Sequence, residues 1–426
     1  MAKPREAISS ASSHPPEIPM ELHAINREKL IQSIRKHLTS SHRPLQGFVF
    51  LQGGEEQTRY CTDHAELFRQ ESYFAYLFGV REPGFYGAID IATGKSILFA
   101  PRLPAEYAVW LGEIKPLSNF KERYMVSMVY HTEEIVGVLH DHYGGLGKPL
   151  LFLLHGLNTD SNKFSKPAEI EEMEKFETDL STLHPLLVEC RIFKSDLELA
   201  LIQYANDISS EAHIETLKDG DMALLDMGAE YHFYGSDITC SFPVNGKFTS
   251  DQCLIYNAVL EAHNAVISTM KPGVSWVDMH NNVDDMMAER LGAVFMPHGL
   301  GHFLGIDTHD PGGYAKGMER PKEPGLRALR TIRELQEGMV ITVEPGCYFI
   351  DALLVPAMKS STTSKFFNHE EIGRYESFGG VRIESDVHVT SNGSENLTKC
   401  PRETWEIEAV MAGAPWPLDK SFVHTE

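Results

Sequence analysis

The segment Pro297-His298-Gly299-Leu300-Gly301-His302-Phe303-Leu304-Gly305-Ile306-Asp307-Thr308-His309-Asp310 sets three histidines among glycines, with apolar residues between them. Histidine is the commonest metal ligand and the usual proton shuttle near neutral pH. Small residues allow a backbone or a substrate to come close. The apolar filling predicts a partly buried backbone. Carboxylates elsewhere in the chain give the histidines company. Leu217-Lys218-Asp219-Gly220-Asp221-Met222-Ala223-Leu224-Leu225-Asp226-Met227-Gly228 matches Leu335-Gln336-Glu337-Gly338-Met339-Val340-Ile341-Thr342-Val343-Glu344-Pro345-Gly346 without a gap. Each copy is a turn, an apolar strand, one carboxylate and, two residues on, a glycine. A carboxylate ending a buried strand is costly unless it is paired or coordinated.

A second acid follows in each copy, Asp237 in Gly235-Ser236-Asp237-Ile238-Thr239 and Glu384 in Val381-Arg382-Ile383-Glu384-Ser385-Asp386. The longer spacing in the second copy is an insertion from Ile350 to about Ser377. Four carboxylates with His302 form an oxygen-rich set with one nitrogen. Two bridging carboxylates would hold two divalent ions about 3.5–4 Å apart. Oxygen ligands suit Mn²⁺, Mg²⁺ or Ca²⁺, and the imidazole pulls toward Mn²⁺, Co²⁺ or Zn²⁺.

The elements that must position these groups repeat as well. Ser195-Asp196-Leu197-Glu198 opens a helix with a capping box, its apolar face read as Leu197, Leu201, Ala205 and Ile208. Thr249-Ser250-Asp251-Gln252 opens a counterpart with Leu254, Ala258, Ala262 and Val266. Helix, strand, carboxylate, carboxylate therefore occurs twice, a duplicated half-domain. Upstream, a helix over Ile25 to Leu38, buried strands at 47–51 and 149–154, and a hairpin of 86–91 with 95–100 predict a separate α/β domain. A helix from Pro104 to Leu111 would carry Trp110. Residues 1–19 read as a disordered tail, 20–190 as the first domain and 191–426 as the second.

Composition narrows the function. Net charge is −22, which disfavours nucleic acid and anionic membranes as partners. The six cysteines have no CxxC spacing and read as buried thiols in a reducing compartment. No apolar run approaches the ~18 residues that span a bilayer. With no signal-peptide core at the N-terminus, a cytoplasmic location is expected.

The chain resembles the two-metal pita-bread peptidases, and within them the prolidase (Xaa-Pro dipeptidase) branch. The resemblance rests on Leu225-Asp226-Met227-Gly228, Ser236-Asp237-Ile238-Thr239, Pro297-His298-Gly299-Leu300-Gly301-His302, Thr308-His309-Asp310, Thr342-Val343-Glu344-Pro345-Gly346 and Val381-Arg382-Ile383-Glu384. It implies an α/β (α+β) fold, a small creatinase-like domain before a pita-bread domain. It implies two divalent ions, manganese first, with Asp226 on one, Asp237 and Glu384 bridging, and His302 and Glu344 completing the other. Water activated between the ions would cleave Xaa-Pro dipeptides. Glu344 would shuttle the proton, His309 would touch the substrate and stabilise the oxyanion, and His298 would support it. Asp226 would also border the substrate. Arg330 would grip the substrate carboxylate, and the chain would form a homodimer whose Trp110 caps the partner's pocket. Aminopeptidase P is the sister activity.

One feature departs from that pattern. Only Ile214-Glu215-Thr216 lead from His213 toward the first acid strand, whereas the second copy has a further amphipathic stretch, Trp276 to Leu291. The first half-repeat is read as truncated near 213–217, and exposed apolar strand surface should follow. A catalytically impaired form that only binds metal or peptide, or only dimerises, is the competing expectation.

Overall fold

The computed structural model describes residues 18–418 except 63–64, 106, 108–113, 145, 216–221, 289–290, 316, 324 and 376–377. Trp110, most of the expected tail and part of the 213–217 junction lie outside the described residues. The chain divides into two units between Arg191 and Ile192.

The first unit is a six-stranded mixed sheet. Its spatial order is Met128–His131, Ser96–Ala100, Tyr86–Asp90, Phe48–Gln52, Leu150–Leu153, Glu177–Asp179. The hairpin pairs antiparallel, Tyr86 opposite Phe99, and Phe48–Gln52 lies parallel to Leu150–Leu153. Phe48, Val49, Phe50 and Leu51 are all buried, as a strand covered on both faces requires. The helix Glu21–Ser40 buries Leu30, Ile31, Ile34 and Leu38, and its Arg27 donates to the carbonyls of Leu77 (2.8 Å) and Met125 (2.7 Å). Those bonds satisfy a buried guanidinium and dock the helix against Ser72–Phe78.

The second unit carries the repeat. Helix Asp196–Glu215 precedes an antiparallel pair, Met222–Met227 with Ile238–Pro243, with Asp226 opposite Thr239. Helix Ser250–Thr269 and helix Trp276–Ala288 precede Val340–Val343, paired antiparallel with Ser385–Val389. The two pairs meet near their ends, where the Glu384 amide donates to the Thr239 carbonyl at 3.1 Å. Both helices open on the expected side-chain caps. Ser195 and Glu198 exchange bonds at 2.8 and 3.4 Å, and Thr249 and Gln252 do so at 2.9 and 3.2 Å.

The helix faces differ from the expected ones. Ile208 is 41% exposed and Leu254 61% exposed. The first helix buries Glu198, Asn206, Ser209, Ser210 and His213 together with Leu201, Ile202 and Ala205. An apolar-only stripe misses this face because its polar members are satisfied inside: Ser209 meets Ser236 at 2.7 Å, and His213 Nε2 meets the Ile238 carbonyl at 2.9 Å. The second helix turns Tyr256, Val259, Leu260 and Val266 inward.

The two acid strands are not equally covered. Val340–Val343 is buried throughout. Met222, Ala223, Leu224 and Leu225 stay partly exposed on an edge strand, and the Asp226 side chain is 46% exposed. Ile238–Pro243 beside them is wholly buried. The expected exposure of apolar strand surface is thus only partial and falls on the first repeat alone, where Met222, Ala223 and Leu225 still pack against a core. No described helix is long and apolar enough to cross a membrane.

Candidate metal centre

Two of the carboxylates sit at strand ends. Asp237 lies just before Ile238–Pro243, and Glu384 in the break between Gly380–Arg382 and Ser385–Val389. Between the pairs, Thr239 Oγ1 donates to Glu384 Oε2 at 2.6 Å, and the Asp237 amide donates to Asp386 Oδ2 at 3.0 Å. The histidine-rich segment runs as an extra strand against Val340–Val343. Its bonds are Thr342 amide to His302 carbonyl and Glu344 amide to Leu300 carbonyl, both 2.9 Å. Gly301 makes that approach possible, because a Cβ there would stand 1.9 Å from the Thr342 carbonyl oxygen. Gly228 plays the same part beside Asp226, with a Cβ falling 1.9 Å from the Ser236 carbonyl oxygen.

The result brings all five expected ligands together. Asp226, Asp237 and Glu384 form one group with ligand atoms within 4.8 Å of one another; His302, Glu344 and Glu384 form a second, and Asp237, His302 and His309 a third. Asp237 and Glu384 each belong to two of them. His302 Nε2 lies 3.4 Å from Asp237 Oδ2 and 3.5 Å from Glu344 Oε1. Its Nδ1 faces the Phe303 carbonyl at 3.1 Å, so a proton there leaves Nε2 as the ligand atom. His309 is exposed, and its ring meets that of His302 edge-on at 4.4 Å. His298 Nδ1 is 3.6 Å from Glu344 Oε2, and its Nε2 is 2.8 Å from the Tyr348 hydroxyl. Arg330 lies half-buried after buried Leu329, its carbonyl packed over Gly313.

The electrostatics are those of a site short of positive charge. Burial, then the charges of Glu344 and Asp237, pushes the Glu384 carboxyl well above its usual range. Burial and Asp237 also raise Asp226. Burial opposes ionisation of Asp237, but the hydrogen bond and charge of His302, with help from Asp226 and His309, together outweigh it and hold it low. His302 is pushed down by burial, yet Asp237 and Glu344 together raise it. A divalent cation would relieve the first two and displace the proton on the last. The donor set, four carboxylates and one imidazole, therefore fits divalent metal ions.

Four neighbours had no role in the sequence reading. Arg382 donates to Asp226 Oδ2 (2.5 Å), Thr239 Oγ1 (3.0 Å) and the Tyr348 hydroxyl (3.0 Å), and lies 3.8 Å from Glu384 Oε2. Thr239, Tyr348 and Asp386 are the others. The signal was available: each of Thr239, Arg382 and Asp386 stands two residues from a candidate ligand.

Residues 192–391 match the family model described as metallopeptidase family M24, and residues 23–151 match the aminopeptidase P N-terminal domain. The chain is 46% identical to the human Xaa-Pro dipeptidase over 95% of each chain. The chain belongs to metallopeptidase family M24.

The rat Xaa-Pro dipeptidase is also 46% identical, over 95% of this chain and 96% of its own. A probable Xaa-Pro aminopeptidase of Verticillium alfalfae is 30% identical over 89% and 96%. Among solved M24-like folds, the Pseudomonas aeruginosa aminopeptidase PepP superposes with a TM-score of 0.69 at 25% identity, over 93% of this chain and 98% of its own. The zinc-substituted Escherichia coli aminopeptidase P in complex with product gives 0.69 at 24%, over 93% and 99%. The two-domain α/β architecture and the membership read from six short motifs both stand.

Proposed function

We propose that this M24 chain hydrolyses Xaa-Pro dipeptides with two divalent metal ions, manganese by preference. The observation that carries the reading is the convergence of Asp226, Asp237, His302, Glu344 and Glu384 from both half-repeats. The 46% identity to dipeptidases, against 30% to the aminopeptidase, favours the dipeptide as substrate. Bound ions supply Lewis acidity, which polarises a water and the scissile carbonyl at neutral pH. Asp226 would help hold one ion, Asp237 and Glu384 would serve both, and His302 with Glu344 would hold the other. Glu344 accepts the proton of the attacking water and hands it to the leaving nitrogen. His298, 3.6 Å from Glu344, holds that carboxylate in place. His309 stands over His302 at the open side, where a donor can meet the developing oxyanion. Arg330 offers a guanidinium fork to the substrate's terminal carboxylate, which selects dipeptides. The protein acts in the cytoplasm as a homodimer on peptides, without nucleic acid or membrane partners.

A second reading has its own support. The alignment with the human dipeptidase spans 482 positions, whereas 95% of 426 residues is about 405, so about 77 positions face no residue here. Together with the half-exposed strand Met222–Met227, this fits a first half-repeat that lacks a segment near 213–217, in a chain that binds metal or peptide without turnover.

Gly-Pro hydrolysis with added Mn²⁺ separates the two. Activity lost on Asp237→Asn by about three orders of magnitude or more supports the enzyme. No turnover by a folded sample that calorimetry shows to be metal-loaded supports the binder. Tripeptide turnover exceeding dipeptide turnover would instead mark aminopeptidase P activity.

A further inference from the structure

The residues that match the family end at position 391, yet an arginine beyond them reaches the back of the metal centre. Arg402 stands just before helix Thr404–Met411. Its amide donates to Glu406 Oε2 at 3.1 Å, and its carbonyl accepts from the Tyr256 hydroxyl at 2.8 Å. Glu406 belongs to the capping box that opens this helix, and Tyr256 to helix Ser250–Thr269. The root of the side chain is therefore held from two elements.

From that root the guanidinium spreads across the junction of the two strand pairs. Nη1 donates to the Thr239 carbonyl at 2.8 Å and points at Cys240 Sγ from 3.5 Å. Nη2 donates to the Glu384 carbonyl and to Ser385 Oγ at 3.0 Å. Ser385 Oγ is also met by His263 Nε2 at 3.1 Å. Thr239, Glu384 and Ser385 are all buried, so these acceptors have no water to turn to. Glu384 lies in the break between Gly380–Arg382 and Ser385–Val389, outside the ladder of either strand. Its carbonyl needs a donor from elsewhere, and Arg402 supplies one. The Thr239 carbonyl takes the Glu384 amide as well, at 3.1 Å. Fork and amide together tie the backbone on both sides of the junction.

We propose that Arg402 is a positioning residue of the metal centre, whose guanidinium fork fixes the backbone from which Asp237 and Glu384 reach the ions. The inference rests on the two-ion reading above. These two acids are the ones read as shared by both ions, and each belongs to two of the ligand groups. Before an ion arrives, the carboxylates of the centre repel one another. A backbone tied at this junction keeps two of them from spreading apart. The bonds of Arg402 go to carbonyls, a hydroxyl and a thiol, so it acts through the main chain and not as a ligand. Lysine carries the same charge on one point and lacks the planar fork that spans two carbonyls. Arg402→Lys therefore separates the geometry from the charge.

The test uses the full chain with Mn²⁺ as the probe, titrated by calorimetry. Arg402→Lys should bind Mn²⁺ about 10–100-fold more weakly than the wild type. Arg27→Lys is the control, because Arg27 also bridges two carbonyls, those of Leu77 and Met125, but in the first unit. It should melt earlier in chelator and keep the wild-type Mn²⁺ affinity. A loss of affinity shared equally by the two variants would mean general destabilisation and overturn the inference. A wild type that binds Mn²⁺, with Arg402→Lys matching its affinity, would overturn this inference and leave the two-ion reading standing. A wild type that takes up no Mn²⁺ would sink both. Should Arg402→Lys fail to fold, hydrogen exchange on the wild type decides. At short labelling times the peptide containing Glu384 should be as protected in chelator as with Mn²⁺. Protection that appears only with Mn²⁺ would show that the ions, not Arg402, order this junction.

Discussion

Glu384→Gln tests the centre by removing a charge while keeping the shape. The Glu384 side chain is 3% exposed, and its Oε2 accepts from Thr239 Oγ1 at 2.6 Å. A glutamine carbonyl can accept the same bond. The ionised carboxylate sits with other ligand atoms within 4.8 Å. At that separation and an effective dielectric near 20, each like-charge pair costs on the order of 3 kcal/mol before the compensation from Arg382 and His302. Its carboxyl is accordingly raised well above the usual range, by burial first and by Glu344 and Asp237 next. For a carboxylate raised on folding the sign is the reverse of the common case. The unfolded chain releases the proton first, so the metal-free protein loses stability as pH rises from the unfolded carboxylate range toward the folded value. Glutamine removes that loss, and metal-free Glu384→Gln should melt at or slightly above the wild-type temperature at pH 7.

With metal the order inverts. Glu384 belongs to two of the ligand groups, so its loss weakens both ion positions. An ion at 100 times its Kd stabilises by about 2.7 kcal/mol, and a hundredfold weaker site retains only about 0.4 kcal/mol of that. For a unit of this size each Mn²⁺ ion should raise the wild-type melting temperature by about 5–10 °C, and that of the variant by about 1 °C. Scanning calorimetry with Mn²⁺ or with a chelator reads all four values. Equal Mn²⁺ increments in the two proteins, with the variant already several degrees lower in chelator, would make Glu384 a structural acid and refute the two-ion reading.

Other consequences are as direct. Lys194 and Asp310 form an ion pair at 3.4 Å with both side chains 1% exposed, next to His309. Lys194→Met strands the carboxylate and should cost about 3–5 kcal/mol in urea unfolding, with much of it recovered in the double variant with Asp310→Asn. Burial holds His263 at about 3 and His280 at about 4 in the same unit. Both are lowered on folding, so their contribution is complete above about 6.5 and is lost as pH falls toward those values, at about 1.4 kcal/mol per unit each. Urea midpoints at pH 7 and pH 5 should differ by less in His263→Asn than in the wild type, and an unchanged difference would contradict this. Arg330→Gln should raise KM for Gly-Pro about 10–100-fold while leaving its C-terminal amide unaffected, a split that steady-state kinetics reads.

The ligands were legible because each rests on a local rule. Asp226 and Glu344 end apolar strands in matching register, and the glycines near Asp226 and His302 are demanded because a Cβ there would fall 1.9 Å from a carbonyl oxygen. The caps at Ser195 and Thr249 are four-residue signals. Arg382 was visible in its motif but had no partner until the two strand pairs met, which placed it against Asp226 and Tyr348.

What the sequence offered by itself was therefore the set of candidate ligands and the doubling of the helix–strand unit, since both show in short motifs that repeat in matching register. Tertiary structure alone decided three other things. It turned Ile208 and Leu254 outward by satisfying polar groups within the helix faces, left Met222–Met227 partly exposed while covering Val340–Val343, and gathered Cys240 and Cys400 into one core. Each depends on which distant surface packs against a segment, and a segment's own pattern of polar and apolar residues does not carry that information.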